Sequence, residues 1–312
     1  MTAPALPLRA GHLTIAELID LYMAEYAGRD VSRTQRLGWW AAQVGARRID
    51  ELSDDEVHAA LEDLARRPAR CFAGKDADGK PILRSKGKPP APATINRYAA
   101  ALGSVISWAI KRRIAPKGYV HPCRAVEMRP ENNEKTRFLT EDERTRLLSA
   151  CQASKWSKLY LLTLMAVTTG ARKGELLGLR WSDVDLVHRV AHVGRSKNGD
   201  PKTLPLIPSV VEILERDKGK PGALIFASSR APDKAYSFEP RWSEALRVAK
   251  IRGVTFHTLR HSCASFLAQN GCTLLEIAYL LGHRQLTMTK RYSHLATSHR
   301  SAMVNRVLGD LR

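Results

Sequence analysis

Six residues between Arg172 and Tyr292 carry the functional groups needed to move a phosphodiester without a metal ion. They are Arg172 in Thr168-Thr-Gly-Ala-Arg172, Lys197 in Ser196-Lys-Asn-Gly199, His257 and Arg260 in His257-Thr-Leu-Arg-His261, His283 in Leu280-Leu-Gly-His283, and Tyr292 in Thr289-Lys-Arg-Tyr-Ser-His-Leu295. Such a transfer poses three problems. The non-bridging oxygens gain charge in the transition state, the nucleophile must lose a proton, and the leaving oxygen must gain one. Arginine answers the first, because its guanidinium stays charged and holds two oxygens at once. Lysine and histidine can pass protons, and lysine does so once its pKa is lowered, which arginine does poorly. A phenol, with an ordinary pKa of roughly 10, becomes a nucleophile only where nearby cations favour the phenolate.

Each residue also has a plainer reading. Arg172 has the residue type of a helix-terminal surface salt bridge, yet it follows a buried apolar run directly, and a break at Gly170 turns the next residues toward a cleft. Glu175 lies one helical turn on, where it either orients Arg172 by a salt bridge or makes ordinary helix charge pairing. His257 and Arg260 share a helix face. His257 and His261 stand four apart, but the Glu of a His-Glu-x-x-His motif is missing and no third ligand is evident, so zinc is not expected. His261 reads as structural. Lys197 precedes an Asn-Gly turn, where a solvent lysine is ordinary, and His283 follows a helix closed by Gly282, where a cap is ordinary. Tyr292 has the ordinary reading of a half-buried packing residue.

In order and context these motifs resemble the tyrosine recombinase (phage integrase) family, from about Thr140 to Leu295. Thr94-Ile-Asn-Arg-Tyr98 through Trp108-Ala-Ile110 looks like that family's helix before the linker, and the front half resembles its core-binding domain. The resemblance implies a metal-independent and cofactor-free DNA strand transferase. On that basis Arg172 and Arg260 clamp the phosphate, His257 donates to it or shuttles the tyrosine proton, and His283 hydrogen bonds to it. Lys197 is the general acid, with Lys202 past the turn as the poorer match. Tyr292 attacks, forming a 3′-phosphotyrosyl bond and releasing a 5′-hydroxyl. Because the ester retains the bond energy, a second 5′-hydroxyl can reverse the step without ATP.

The implied partners are a double-stranded recombination site, a homotetramer in the synaptic complex formed from solution monomers, and an accessory directionality factor. The implied role is that of a phage or mobile-element integrase, in the cytoplasm and associated with the nucleoid. A chromosome-dimer resolvase or a type IB topoisomerase-like enzyme would share the chemistry. A DNA-binding regulator would share only the fold, and the filling of all six positions argues against it. Only about ten residues precede the first core-binding helix, fewer than the extra amino-terminal domain of many phage integrases requires.

Composition agrees with a polyanionic partner. Of 312 residues, 50 are Lys or Arg and 31 Asp or Glu, a formal net charge of +19, and basic residues such as Lys86, Lys88, Lys111, Arg112 and Arg113 cluster where acids are few. The five cysteines are odd in number and form no CxxC pair, so neither a disulfide framework nor a structural zinc site is expected. The start does not read as a signal peptide, and the most apolar run, Leu159 to Val167, falls far short of the ~20 residues of a membrane span. A reduced, soluble, intracellular protein is expected.

The elements that must position these residues are mostly helical. Capping boxes at Thr14-Ile-Ala-Glu17, Ser53-Asp-Asp-Glu56, Thr140-Glu-Asp-Glu143 and Thr273-Leu-Leu-Glu276 each open a helix. A further helix is expected from about Thr94 to Lys111, a buried one from Leu159 to Thr169, one from Pro208, and helical structure from Arg241 onward. The β signal lies in Val184 to Val193 and Thr203 to Leu206, with Leu224 to Phe226 as a short edge strand.

The expected organisation is a short extension over 1–10 and an all-α core-binding (SAM-like) domain over 11–126. Within that domain, 73–92 is either a disordered connection or a basic hairpin or loop on the phosphate backbone. A linker follows over 127–137, then a mostly helical α+β catalytic domain with a small antiparallel sheet over 138–312, including a tail at 296–312.

Overall fold

The computed structural model describes residues 12–28, 30–76, 78, 81–131, 137–194, 201–296 and 308. The chain divides into two compact units, Met1–Asn133 and Glu134–Arg312.

Among the described residues of the first unit, four α-helices enclose a core: α1 (Ile15–Glu25), α2 (Arg33–Val44), α3 (Asp54–Arg66) and α4 (Pro92–Lys111). The Thr14 and Ser53 capping boxes form as expected, with each side chain accepting from the backbone amide three residues on. Ile15, Leu18, Leu37, Trp40, Val57, Leu61, Leu102 and Ile106 meet in the core. Trp40 also donates its indole N–H to the Tyr98 carbonyl at 2.8 Å, so its polar edge is satisfied on burial. Helix α2 has no counterpart in the sequence reading. Its start carries no side-chain cap at Ser32, so only the spacing of Leu37, Trp40 and Val44 signals it.

The expected 73–92 segment takes part in a hairpin that begins earlier, at Arg70. Strand β1 (Arg70–Lys75) pairs antiparallel with β2 (Pro81–Ser85), with a register shift between Phe72 and Gly74. The polar segment after α4 is not a free connection over its described part. Asn96 donates to the Arg129 carbonyl at 2.9 Å and accepts from its amide at 2.9 Å, while the Arg129 guanidinium pairs with Glu62.

The second unit is built around α6 (Lys158–Thr169), which buries nine of its twelve residues. A helix apolar on all sides has no solvent face and must be surrounded. Around it lie α5 (Glu141–Gln152), α7 (Lys173–Leu177), α8 (Pro208–Arg216), α9 (Glu239–Val248), α10 (Thr258–Gln269), α11 (Leu274–Leu281) and α12 (Thr287–Lys290).

A three-stranded antiparallel sheet runs in the order β3 (Val184–Asp185), β4 (Val190–Val193), β5 (Lys202–Pro205). The expected β run at Val184 to Val193 is therefore two strands. The Asp185 carboxylate accepts from the His188 amide at 2.9 Å and folds the chain back. Leu224 to Phe226 is not a strand but a single bridge from Arg180 to Leu224, with the Ile225 amide donating to the Leu179 carbonyl at 2.9 Å and the Phe226 carbonyl accepting from the Tyr236 amide at 2.8 Å, while both side chains are buried.

Cys123, Cys151, Cys263 and Cys272 are free thiols. Among the described residues, no helix is long and apolar enough to cross a membrane, and no three His, Cys, Asp or Glu side chains cluster to hold a metal ion.

Candidate active site

Helix α6 ends at Gly170, which adopts φ +61°. Two constraints call for glycine here. The left-handed backbone is strained for other residues, and a Cβ at this position would stand 2.3 Å from Leu281 Cδ2. The turn delivers Arg172 to the start of α7. Glu175, one turn on, accepts from the Arg172 backbone amide at 2.9 Å and from its guanidinium Nη1 at 2.7 Å. One carboxylate thus caps the helix and fixes the arginine, whose side chain remains 24 % exposed.

Arg260 rises from the first turn of α10 and is 4 % exposed. Its Nη1 donates to the Gly170 carbonyl at 2.8 Å and its Nη2 to the Leu281 carbonyl at 2.7 Å. Both acceptors lie at helix ends closed by a left-handed glycine, Gly170 for α6 and Gly282 for α11. Each terminal nitrogen carries a second N–H, so the pinned guanidinium keeps donors for a further oxygen. Burial and the Arg172 charge lower its pKa to about 10, which leaves it protonated at neutral pH.

Lys197 lies outside the described residues. Lys202, at the start of β5, enters the site. Its side chain is 8 % exposed, with Nζ 3.7 Å from Glu175 Oε2 and 3.4 Å from the Leu281 carbonyl. Burial lowers its pKa to about 8 against the pull of Glu175, with Arg260 and Arg172 adding to the effect. Its position past the turn makes it the poorer match for the general acid, and the sequence carries no sign of the pleat direction that brings it inward.

His283 follows Gly282 and shares a hydrogen bond with the buried Thr289 hydroxyl at 2.7 Å. Burial first, then the Arg260 and Arg172 charges, lower its pKa to about 4. His257 is held below the ordinary histidine range by burial and by Arg260, Arg172 and Arg291. Both rings are thus suited to donate or accept hydrogen bonds as neutral groups.

Tyr292 is 5 % exposed and packs with Ala264, Ala268, Ile277 and Leu281. Its hydroxyl meets His261 Nδ1 at 2.6 Å, and the His261 ring stands edge-on to that of His257 with centroids 4.9 Å apart. Burial raises the phenol pKa against the Arg291 and Arg260 charges. The structure therefore brings Arg172, Glu175, His257, Arg260 and His283 into one electrostatic neighbourhood. It adds Lys202, Thr289 and His261, and sets the phenol beside the histidine that the motif reading left as structural.

Residues 137–299 match the model of the phage integrase family. A shufflon-specific DNA recombinase of Escherichia coli is 31% identical over 215 residues, covering 67% of this chain and 53% of that protein. The chain thus spans about half the length of that relative. Among solved structures, the Tn1549 transposon integrase in complex with a circular intermediate DNA superposes with a TM-score of 0.71 at 19% identity, covering 95% of this chain and 100% of that one. A lambda integrase tetramer bound to a Holliday junction gives 0.65 at 21% identity, covering 92% and 79%. At these identities the two structures speak to the fold.

Proposed function

The chain belongs to the phage integrase family, and on that premise we propose that it is a site-specific DNA recombinase working through a 3′-phosphotyrosyl intermediate on Tyr292. The observation that carries the reading is a charge imbalance. Arg172 and Lys202 pair with the carboxylate of Glu175 and Arg260 lies within its electrostatic reach, three cations to one anion. Holding such an excess in a partly desolvated site is costly unless an anion joins it. A DNA phosphodiester brings one negative charge and gains more in the transition state, so the site favours the transition state over the ground state.

In this reading, Arg172 and Arg260 bind the non-bridging oxygens, and His257 and His283 hydrogen bond to them as neutral rings. Tyr292 attacks phosphorus, and Lys197 protonates the leaving 5′-oxygen. Lys202 holds Glu175 and, through it, Arg172. The partner is a duplex recombination site, bound by monomers that assemble into a tetramer for strand exchange, with an accessory factor setting direction. The expected setting is the bacterial cytoplasm at the nucleoid, as part of a prophage or mobile element. The net charge of +19 supports binding dominated by phosphate contacts.

The test uses a nicked duplex bearing a site that the wild-type chain selects from random-sequence duplexes. Wild type forms an SDS-resistant adduct, while Tyr292→Phe binds equally and forms none. An adduct with the Phe variant overturns the reading.

A further inference from the structure

We propose that His261 is a catalytic partner of the nucleophile, accepting the Tyr292 hydroxyl proton at Nδ1 as the phosphotyrosyl bond forms. The inference rests on the reading of Tyr292 as nucleophile. Its ground is the 2.6 Å contact between Tyr292 Oη and His261 Nδ1, made by a phenol that is 5 % exposed. A buried hydroxyl needs a partner, and a neutral imidazole is the one neighbouring side chain shown to engage it that can also take the proton.

The charged and titratable groups shown to act on this pair all favour a neutral His261, and all but one favour ionisation of the phenol. His257, Arg291 and Arg260 act on His261, and Arg291 and Arg260 on Tyr292, with the Cys263 thiol as a minor opposing influence on the phenol. Burial and these cations lower the His261 pKa to about 4, so its ring is neutral and open as an acceptor at neutral pH. Burial keeps the proton on oxygen at rest, because it raises the phenol above its usual range. Transfer becomes favourable only when a phosphate anion enters the cluster and the new bond draws electron density from oxygen.

The atoms balance as follows. The Oη–H bond breaks and its proton goes to His261 Nδ1 while Oη bonds to phosphorus. The bond from phosphorus to the 5′-oxygen breaks, and that oxygen takes a proton from the general-acid lysine. On rejoining, a 5′-hydroxyl attacks and returns its proton to the lysine, and Oη leaves phosphorus and recovers its proton from His261.

The two variants to compare on the selected nicked duplex are His261→Ala and His261→Asn. The amide oxygen of asparagine accepts the phenol hydrogen bond near the Nδ1 position but is not a base. The expected result is DNA binding unchanged in both and adduct formation slowed roughly 100-fold in the alanine variant. Asparagine should recover part of that rate. In both variants the rate should climb from about pH 7 to about pH 9, where wild type is flat, because cleavage then depends on the small phenolate fraction. Wild-type rates in either variant overturn the proposal, and so does a slowed rate with the wild-type pH profile. Should the alanine variant fail to bind DNA, the asparagine pH profile alone decides. An adduct in Tyr292→Phe removes the nucleophile reading beneath it, whereas an inactive Phe variant beside a fully active His261→Ala removes only the histidine assignment.

Discussion

Arg260 and Gly170, ninety positions apart in sequence, are joined by a 2.8 Å hydrogen bond from the guanidinium to the glycine carbonyl. With its second bond to Leu281, this buried cation ties the ends of α6 and α11 together. The geometry proposed to bind phosphate is thereby part of the packing of the domain rather than an addition to it.

Gly170→Ala tests that tie. The substitution imposes a side chain on a left-handed backbone and drives a Cβ toward Leu281 Cδ2. A loss of roughly 1–3 kcal/mol in denaturant unfolding is expected, together with weaker adduct formation on the selected duplex. Unchanged stability would mean that the loop rearranges freely.

Glu175→Gln leaves Arg172 and Lys202 without their anion. Although burial pushes the Glu175 carboxyl up, hydrogen bonds from the Arg172 backbone and side chain and the Lys202 and Arg172 charges hold it below the ordinary carboxylate range. Its stabilising contribution is therefore present above the unfolded pKa and lost as pH falls through the lower folded one. Wild type should lose stability on acidification in that window relative to the Gln variant, which should start less stable at neutral pH by about 3–5 kcal/mol. Parallel pH–stability curves would refute this.

The two lysines separate by different readouts. Lys197→Ala should cleave ordinary DNA poorly and recover on a substrate with sulfur at the bridging 5′ position, since a thiolate leaves without a proton. Lys202→Met should show no such rescue, because its role is to hold Glu175. Lys202 titrates at about 8 when folded and 10.5 when unfolded. Between those values the unfolded chain binds the extra proton, so wild-type stability should rise with pH by on the order of 3 kcal/mol relative to Lys202→Met. Sulfur rescue of Lys202→Met instead of Lys197→Ala would exchange the two roles.

Truncation after Ala296 addresses assembly. Ala302, Val304, Val307 and Leu308 are apolar positions in the sequence of a segment of which only Leu308 is described. The shortened chain should bind a single site and cleave the nicked duplex while losing paired-site complexes on native gels. Retention of those complexes would assign assembly elsewhere.

Much of the molecule is legible in the one-dimensional chain because its signals are local. The capping boxes at Thr14, Ser53, Thr140 and Thr273 mark helix starts within four residues, and all four form. Glu175 reaches Arg172 within a single helical turn, so that pair follows from spacing alone. The apolar run of α6 declares its burial in the same way. Helix α2 lacks a side-chain cap, and its start is correspondingly silent.

What tertiary structure alone decided are the contacts that cross the chain. Lys202 enters the site because β5 directs it between Glu175 and Leu281, a direction set by sheet register rather than by its neighbours in sequence. The pairing of His261 with Tyr292, thirty-one positions apart, depends on how α10 packs against the turn after α12. Motif spacing identifies which residues can share a helix face. Which of two neighbouring histidines meets a phenol is settled by the rotation of one packed helix against another, and that rotation is fixed by every side chain in the interface at once.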